Sequence, residues 1–295
     1  MAKQAYKRTR FTDDSLTLID TMNAIVEDYV EQGFRLTVRQ LYYQLVARDV
    51  IPNNEKSYKR VTGLVNDARN AGVMDWDAIE DRTRAFVRRQ RWNSGSHILR
   101  SAAASFHMDM WDNQQNRPFV IIEKEALVGV LEPTCDKLDV PILAARGYPS
   151  ASVLREFAIT DIIPFAEASQ NIVIIHLGDH DPSGLDMTRD LRDRLEMYAD
   201  GYSIDLVRIA LNMDQIRERK PPPNPAKTTD SRFNEYRKHY GDESWELDAL
   251  PPAFLVQLVE AEIDKYVDSD NWAERSAHIE TIRDKLTKVA KRFKG

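Results

Sequence analysis

Arg39, Tyr42 and Tyr43 stand together in "TVRQLYYQL" (37–45), and Glu123, Asp179 and Asp181 stand in "VIIEKEA" (120–126) and "HLGDHDPSG" (176–184). A tyrosine attacks phosphorus as a phenolate, yet its hydroxyl ordinarily titrates at about 10, so a neighbouring cation is needed to favour the charged form. Arg39 lies one helical turn before Tyr43, and a guanidinium also suits a phosphate diester. Three carboxylates are hard oxygen donors, the chemistry that holds Mg²⁺ or Mn²⁺ together with waters and phosphate oxygens. Each feature also has a plain alternative. Tyr43 can be a surface ring lying over an arginine stem, and Asp179 or Ser183 can simply cap the helix that follows.

Both tyrosines belong to a helix opening at Thr37, where Thr37 and Gln40 have capping-box spacing, and running to about Arg48. Val38, Leu41, Tyr42 and Leu45 form its apolar stripe. Tyr42 is therefore expected inside. Tyr43 sits about 100° away, on the face of Arg39 and Ala47, with its hydroxyl expected to be exposed. Before this helix, Leu16, Ile19, Met22, Ile25, Val26, Tyr29 and Val30 repeat at helical spacing up to Gly33. After it, "EKSYKRVTGLVNDARNAG" predicts a third helix with Val61, Leu64, Val65 and Ala68 inward and Lys56, Lys59, Arg60 and Arg69 on the remaining surface. Three short helices followed by the basic "RAFVRRQR" (84–91) suggest a winged helix-turn-helix, with those four cations as the DNA-contacting set. A plain helical bundle with solvated charges is the alternative.

Beyond a connecting helix at roughly 96–112, the pattern changes. Apolar runs at 118–123, 140–145, 171–178 and 204–211 alternate with helical segments at 124–138, 150–165 and 183–199. Strands alternating with helices predict an α/β domain whose parallel sheet is covered on both faces. Glu123, Asp179 and Asp181 then fall at the carboxyl ends of strands, where such sheets gather ligands. Residues 217–244, rich in proline and polar side chains, are expected to form an exposed excursion, and helices at 252–267 and 272–293 close the chain. The expected division is 1–105 for the helical DNA-binding domain and 106–295 for the α/β domain with its C-terminal helices.

Charge divides the same way. Residues 1–100 carry 17 Lys and Arg against 13 Asp and Glu, and the rest carries 24 against 34. A basic half can meet phosphates, whereas an acidic half repels them unless a metal organises its carboxylates. The single cysteine, Cys135, excludes an internal disulfide framework and a thiolate zinc cluster. No run of eighteen apolar residues and no apolar leader occurs, so no membrane partner is expected and the location is expected to be cytoplasmic, at DNA. Phosphatase readings of "GDHDPSG" fit poorly. A haloacid-type D-x-D normally follows the first strand of its domain, and a calcineurin-like site lacks its D-x-H and G-N-H here.

The order of parts resembles the topoisomerase VI A subunit and its relative, the meiotic double-strand-break transesterase. "TVRQLYY" is similar to that family's arginine-acidic-x-Tyr-Tyr segment, with Gln40 in the acidic place, and the resemblance implies that Tyr43 is the nucleophile. "VIIEKEALVGVL" resembles its E-K-E-G segment and "GDHDPSGLDM" its D-x-D-P-x-G, which implies metal ligation by Glu123, Asp179 and Asp181. "ARGYPSAS" resembles its G-Y-P-D turn, with Ser150 in the acidic place. The chain is nearer in length to the reduced mini-A proteins of mobile elements. The implied fold is a CAP-like winged helix followed by a Toprim domain. The implied activity is metal-dependent cutting of double-stranded DNA through a 5′-phosphotyrosyl link. A homodimer is implied too, in which the tyrosine of one subunit meets the metal site of the other. No ATPase motif is present, so ATP-driven strand passage would need a separate B-type subunit. Two other readings compete: a DNA-binding protein of a mobile element that does not cut, and a Toprim nuclease that hydrolyses DNA without Tyr43.

Overall fold

The structure, a computed structural model, describes residues 3–80, 89 and 91–293. The basic run 84–91 lies outside the described residues except for Arg89 and Arg91. Three helices make the first lobe: α1 (Asp13–Glu31), α2 (Val38–Ala47) and α3 (Glu55–Asn70). Their starts are fixed by side-chain caps. Thr12 accepts from the Ser15 amide, Thr37 and Gln40 form the expected capping box, and Asn54 accepts from the Ser57 amide. The apolar faces of the three helices share one core, including Ile19, Met22, Leu41, Leu45, Val61 and Val65. Ala249 of the second lobe joins that core, so the two lobes are packed together.

The second lobe is a four-stranded parallel sheet in the order β2-β1-β3-β4, with β1 at Asn116–Ile122, β2 at Ile142–Ala144, β3 at Asn171–Leu177 and β4 at Ile204–Ala210. Alternate residues of β1 and β3 enter opposite cores, as a pleated strand requires. Val120, Ile122, Val173 and Ile175 pack on one face with α5 (Val128–Lys137), whose Cys135 is buried there. Phe119, Ile121, Ile172 and Ile174 pack on the other with α6 (Ala151–Phe157) and α8 (Pro182–Tyr198). Between α6 and α7 (Ile163–Glu167) the helix widens over Ala158–Ile162. The chain leaves β1 toward β2 on one side and continues from β3 to β4 on the other. The carboxyl ends of β1 and β3 therefore form the topological switch point where ligands of such sheets collect.

Two expectations change in the tertiary structure. The connecting helix expected at roughly 96–112 is shorter: α4 (Gly95–Ser105) ends early and lies along the long closing helix α12 (Ser269–Arg292). The segment expected as an exposed excursion is also partly structured. After α9 (Met213–Arg219), strands β5 (Asn224–Pro225) and β6 (Glu243–Ser244) pair around α10 (Phe233–Tyr240), with Ala226, Phe233 and Tyr236 buried together. A short 3-10 turn, Leu247–Ala249, then leads into α11 (Pro252–Asp264), which covers the α5 face of the sheet. Polar composition pointed to a loop there, but the few aromatics of 233–245 are enough to dock it on the loop after β3 through His180, Tyr236, Tyr240 and Trp245.

Candidate functional site

β1 and β3 run side by side with Ile122 opposite Leu177, which sets Glu123 beside Gly178 at the switch point. The Asp179 amide donates to Glu123 Oε2 at 2.8 Å, locking the two strand ends together. Asp179 Oδ1 accepts from the Leu247 amide at 2.8 Å, and its Oδ2 pairs with Lys124 Nζ at 3.0 Å. Asp181, rather than Asp179 or Ser183, caps α8: its Oδ1 accepts from the Gly184 amide at 2.6 Å and from the Ser183 hydroxyl at 2.9 Å. Gly184 is needed for this turn. A β-carbon there would overlap the Asp179 carbonyl, so only glycine lets the helix start so close to the preceding loop.

Arg208, on β4, fastens the same loop from beneath. Its guanidinium donates to the carbonyls of Gly178 (2.8 Å), Asp179 (2.6 Å) and Gly184 (3.0 Å) and to the Thr188 hydroxyl (2.8 Å). Burial lowers its pKa to about 10, against the pull of Glu123, Asp179 and Asp181. Burial likewise pushes the Asp179 carboxyl up to about 8; Lys124 opposes this and Glu123 adds to it. Glu123 is raised too, first by burial. Both carboxyls resist ionisation because they are buried and face one another, in spite of the neighbouring Lys124. His176 and His180 are buried beside this loop and neutral. Burial takes them down to about 3 and about 4, His176 Nδ1 meets the Thr188 hydroxyl, and His180 sits among Tyr236, Tyr240 and Trp245.

The switch point faces α2 of the same chain. Arg39 pairs with Glu246 and, through Nε, with Asp248 Oδ2 at 2.9 Å. Lys124 Nζ reaches Glu246 Oε2 at 2.5 Å and Asp248 Oδ1 at 3.2 Å as well as Asp179. Two cations and three carboxylates thus join the lobes in one network. Burial opposes ionisation of Glu246, but Lys124 and Arg39 bring its carboxyl down to about 2. Asp248 is 1% exposed, and burial holds its carboxyl above the usual range despite the same two cations.

Tyr42 is inside, as the helical stripe predicts, and its hydroxyl donates to Asn53 Oδ1 at 2.7 Å. Tyr43 departs from expectation. It is 3% exposed, because at this position α2 docks on the Leu247–Ala249 turn of the second lobe. Arg39 does stand over its ring, 5.7 Å from the centroid, but its charge is committed to Glu246 and Asp248. The Tyr43 oxygen accepts from Asn224 Nδ2 at 3.2 Å. Burial first, and then the charge of Glu246, push the phenol well above its ordinary value. The arrangement as it stands stores a neutral tyrosine.

Tyr43 nevertheless reaches open space. With Arg39, Asp179, Asp181, Asn224 and Glu246 it lines a cavity of about 500 Å³ between the lobes. Tyr43, Asp179 and Asp181 thus line one cavity within a single chain, whereas Glu123 is not among its lining residues.

The three acids do not make a finished metal site. Among the described residues no three His, Cys, Asp or Glu side chains are arranged to hold an ion. Asp179 is engaged through both oxygens, whereas Glu123 Oε1 and Asp181 Oδ2 accept no protein hydrogen bond among the described residues.

The four cations of α3 separate into two groups. Lys56, Lys59 and Arg60 are exposed, Lys59 pairing with Glu55 at 2.7 Å. Arg69 is a correction: it turns inward, donating to the Trp76 carbonyl and to the Ile79 carbonyl (2.9 Å) and stacking over Trp76 at 5.1 Å. Its position on the far turn of α3 brings it over the chain segment that returns beneath the helix.

Sequence reasoning missed Lys124, Arg208, Asn224, Glu246 and Asp248. Lys124 and the pair in "WELDAL" (245–250) had a signal, charges inside apolar stretches. Arg208 and Asn224 had none that spacing could reveal. No family model matches the chain, and no curated protein matches it.

Proposed function

We propose that this protein cuts double-stranded DNA by tyrosine transesterification, with Tyr43 as the nucleophile. The observation that carries the reading is that Tyr43, Asp179 and Asp181 line one cavity at the sheet's switch point. The first lobe is read as a winged-helix module and the second as a Toprim domain, supported by the parallel order β2-β1-β3-β4 with acids at its carboxyl edge.

In the proposed reaction the Tyr43 oxygen attacks a backbone phosphorus. The O–P bond to tyrosine forms as the P–O3′ bond breaks, giving a 5′-phosphotyrosyl link and a free 3′-hydroxyl. The phenol proton leaves to solvent and the departing oxygen takes one up, so one diester replaces another. Arg39 would steady the phosphate once DNA competes with Glu246 and Asp248 for it. Burial first, and then the charge of Glu246, hold the phenol neutral in the structure, so a change in these surroundings has to precede attack.

The reading includes Mg²⁺ or Mn²⁺. Glu123 Oε1 and Asp181 Oδ2 are oxygens that would hold it, and Asp179 would join only if Lys124 releases it. Such an ion supplies positive charge against the developing phosphate charge. Lys56, Lys59 and Arg60 are the proposed DNA contacts on α3. A homodimer, a B-type ATPase partner and a DNA-associated cytoplasmic location belong to the same reading; among the described residues, no helix is long and apolar enough to cross a membrane.

The second reading, binding DNA without cutting, is favoured by the burial of Tyr43 and the pairing of Arg39. One experiment separates them. The protein is incubated with supercoiled DNA and Mg²⁺ or Mn²⁺, denatured, and assayed for DNA attached covalently to protein. Covalent product lost in Tyr43→Phe but kept in Tyr42→Phe is the expected result. Cutting that survives both changes means hydrolysis, and binding with no cutting supports the second reading.

A further inference from the structure

The proline-rich stretch after α9 runs back against the first lobe and ends on the candidate nucleophile. Asn53, in the loop between α2 and α3, donates from its amide to the Pro223 carbonyl and to Asn224 Oδ1, both at 2.8 Å. Tyr42 fixes Asn53 in turn. Held in this way, Asn224 directs its own amide to the Tyr43 oxygen and to Glu246 Oε1, both at 3.2 Å. A donor aimed at a phenol oxygen favours the phenolate, because it binds the charged form more strongly than the neutral one. The charged groups facing Tyr43 are Glu246 and Asp248, which oppose ionisation, and Arg39, which favours it. Asn224 is therefore a neutral donor reaching that oxygen from the second lobe, held in place by a residue of the first.

We infer that Asn224 is a positioning residue for Tyr43: it fixes the direction of the hydroxyl and stabilises the charge that grows on its oxygen during attack. The functional consequence rests on the transesterase reading, but the contact itself can be tested without DNA. Asn224→Asp is nearly isosteric and keeps the acceptor for Asn53 while losing the donor to Tyr43. Asn224→Ala loses both.

Each variant is prepared with a polyfluorinated tyrosine at position 43, whose phenol titrates at lower pH, and its titration is followed by ¹⁹F NMR. Loss of the donor should raise the midpoint by about one pH unit in Asn224→Ala, and by more in Asn224→Asp, where a carboxylate faces the oxygen. In the DNA assay, Asn224→Ala with ordinary tyrosine should form covalent complex roughly 10- to 100-fold more slowly with DNA affinity nearly unchanged. Unmoved midpoints in folded variants, verified by circular dichroism, overturn the inference. If Asn224→Ala fails to fold, Asn224→Leu, of similar size, uncharged and without a donor, decides alone, because the carboxylate of Asn224→Asp raises the midpoint by its own charge. If the unmodified protein forms no covalent complex, the transesterase reading fails, and the titration still decides whether Asn224 acts on the phenol.

Discussion

Glu246→Gln is the most informative single change to the network between the lobes. Glu246 accepts from Arg39, Lys124 and Asn224, and its carboxyl is brought from an ordinary 4.5 to about 2. A change of that size corresponds to about 3 kcal/mol of folding stability at neutral pH. The side chain is 23% exposed, and glutamine keeps an acceptor for the same partners, which brings the expected loss to about 2 kcal/mol. The pH dependence follows from the direction. The folded-state value lies below the unfolded one, so the stabilisation is complete above about pH 5 and fades as pH falls toward about 2, with roughly half or more gone by pH 3.

Urea unfolding of the unmodified protein and the variant at pH 7, 5, 4 and 3 measures this directly. The gap between the two should be about 2 kcal/mol at pH 7 and should close to less than half of that at pH 3. A gap that is absent at pH 7, or equal at both ends, refutes the view that ion pairing at Glu246 joins the lobes. The same change should lower the Tyr43 phenol toward its ordinary value, since Glu246 is the largest charge holding it up.

Gly184→Ala should destabilise by about 1–3 kcal/mol, seen as a lower melting temperature, because the added methyl meets the Asp179 carbonyl. Changing Lys59 and Arg60 together to Ala should reduce the slope of log affinity for DNA against log salt by up to about 2, measured by fluorescence anisotropy; an unaltered slope removes α3 from the contact surface. Arg69→Ala should instead leave that slope unchanged and lower stability in urea, since its bonds to the Trp76 and Ile79 carbonyls are internal. Arg208→Lys should also destabilise, because a lysine cannot span the carbonyls of Gly178, Asp179 and Gly184 at once; a melting temperature equal to that of the unmodified protein refutes that role.

Local patterning determined much of this molecule. The periods of 3.6 and 2 in apolar residues placed the helices of the first lobe and the strands of the second within a few residues, because burying one face is a local demand on spacing. The Thr37–Gln40 capping box and the inward Tyr42 follow from the same short range. So does the placement of Glu123 and Asp179 at strand ends, since a strand's end is marked by where its apolar run stops.

Only the tertiary structure decided what each helix face meets. Tyr43 and Arg69 both lie off the apolar stripe of their helices and were expected outside, yet a second lobe covers one and a returning segment covers the other. Helical periodicity distinguishes faces but carries no information about a partner that arrives some 180 residues later, as Asn224 does at Tyr43. The same holds for Lys124, whose neighbours Asp179, Glu246 and Asp248 come from two distant loops. Charge networks of this kind are made by folding, because burial and proximity, which set their energies, exist only once the lobes have closed on each other.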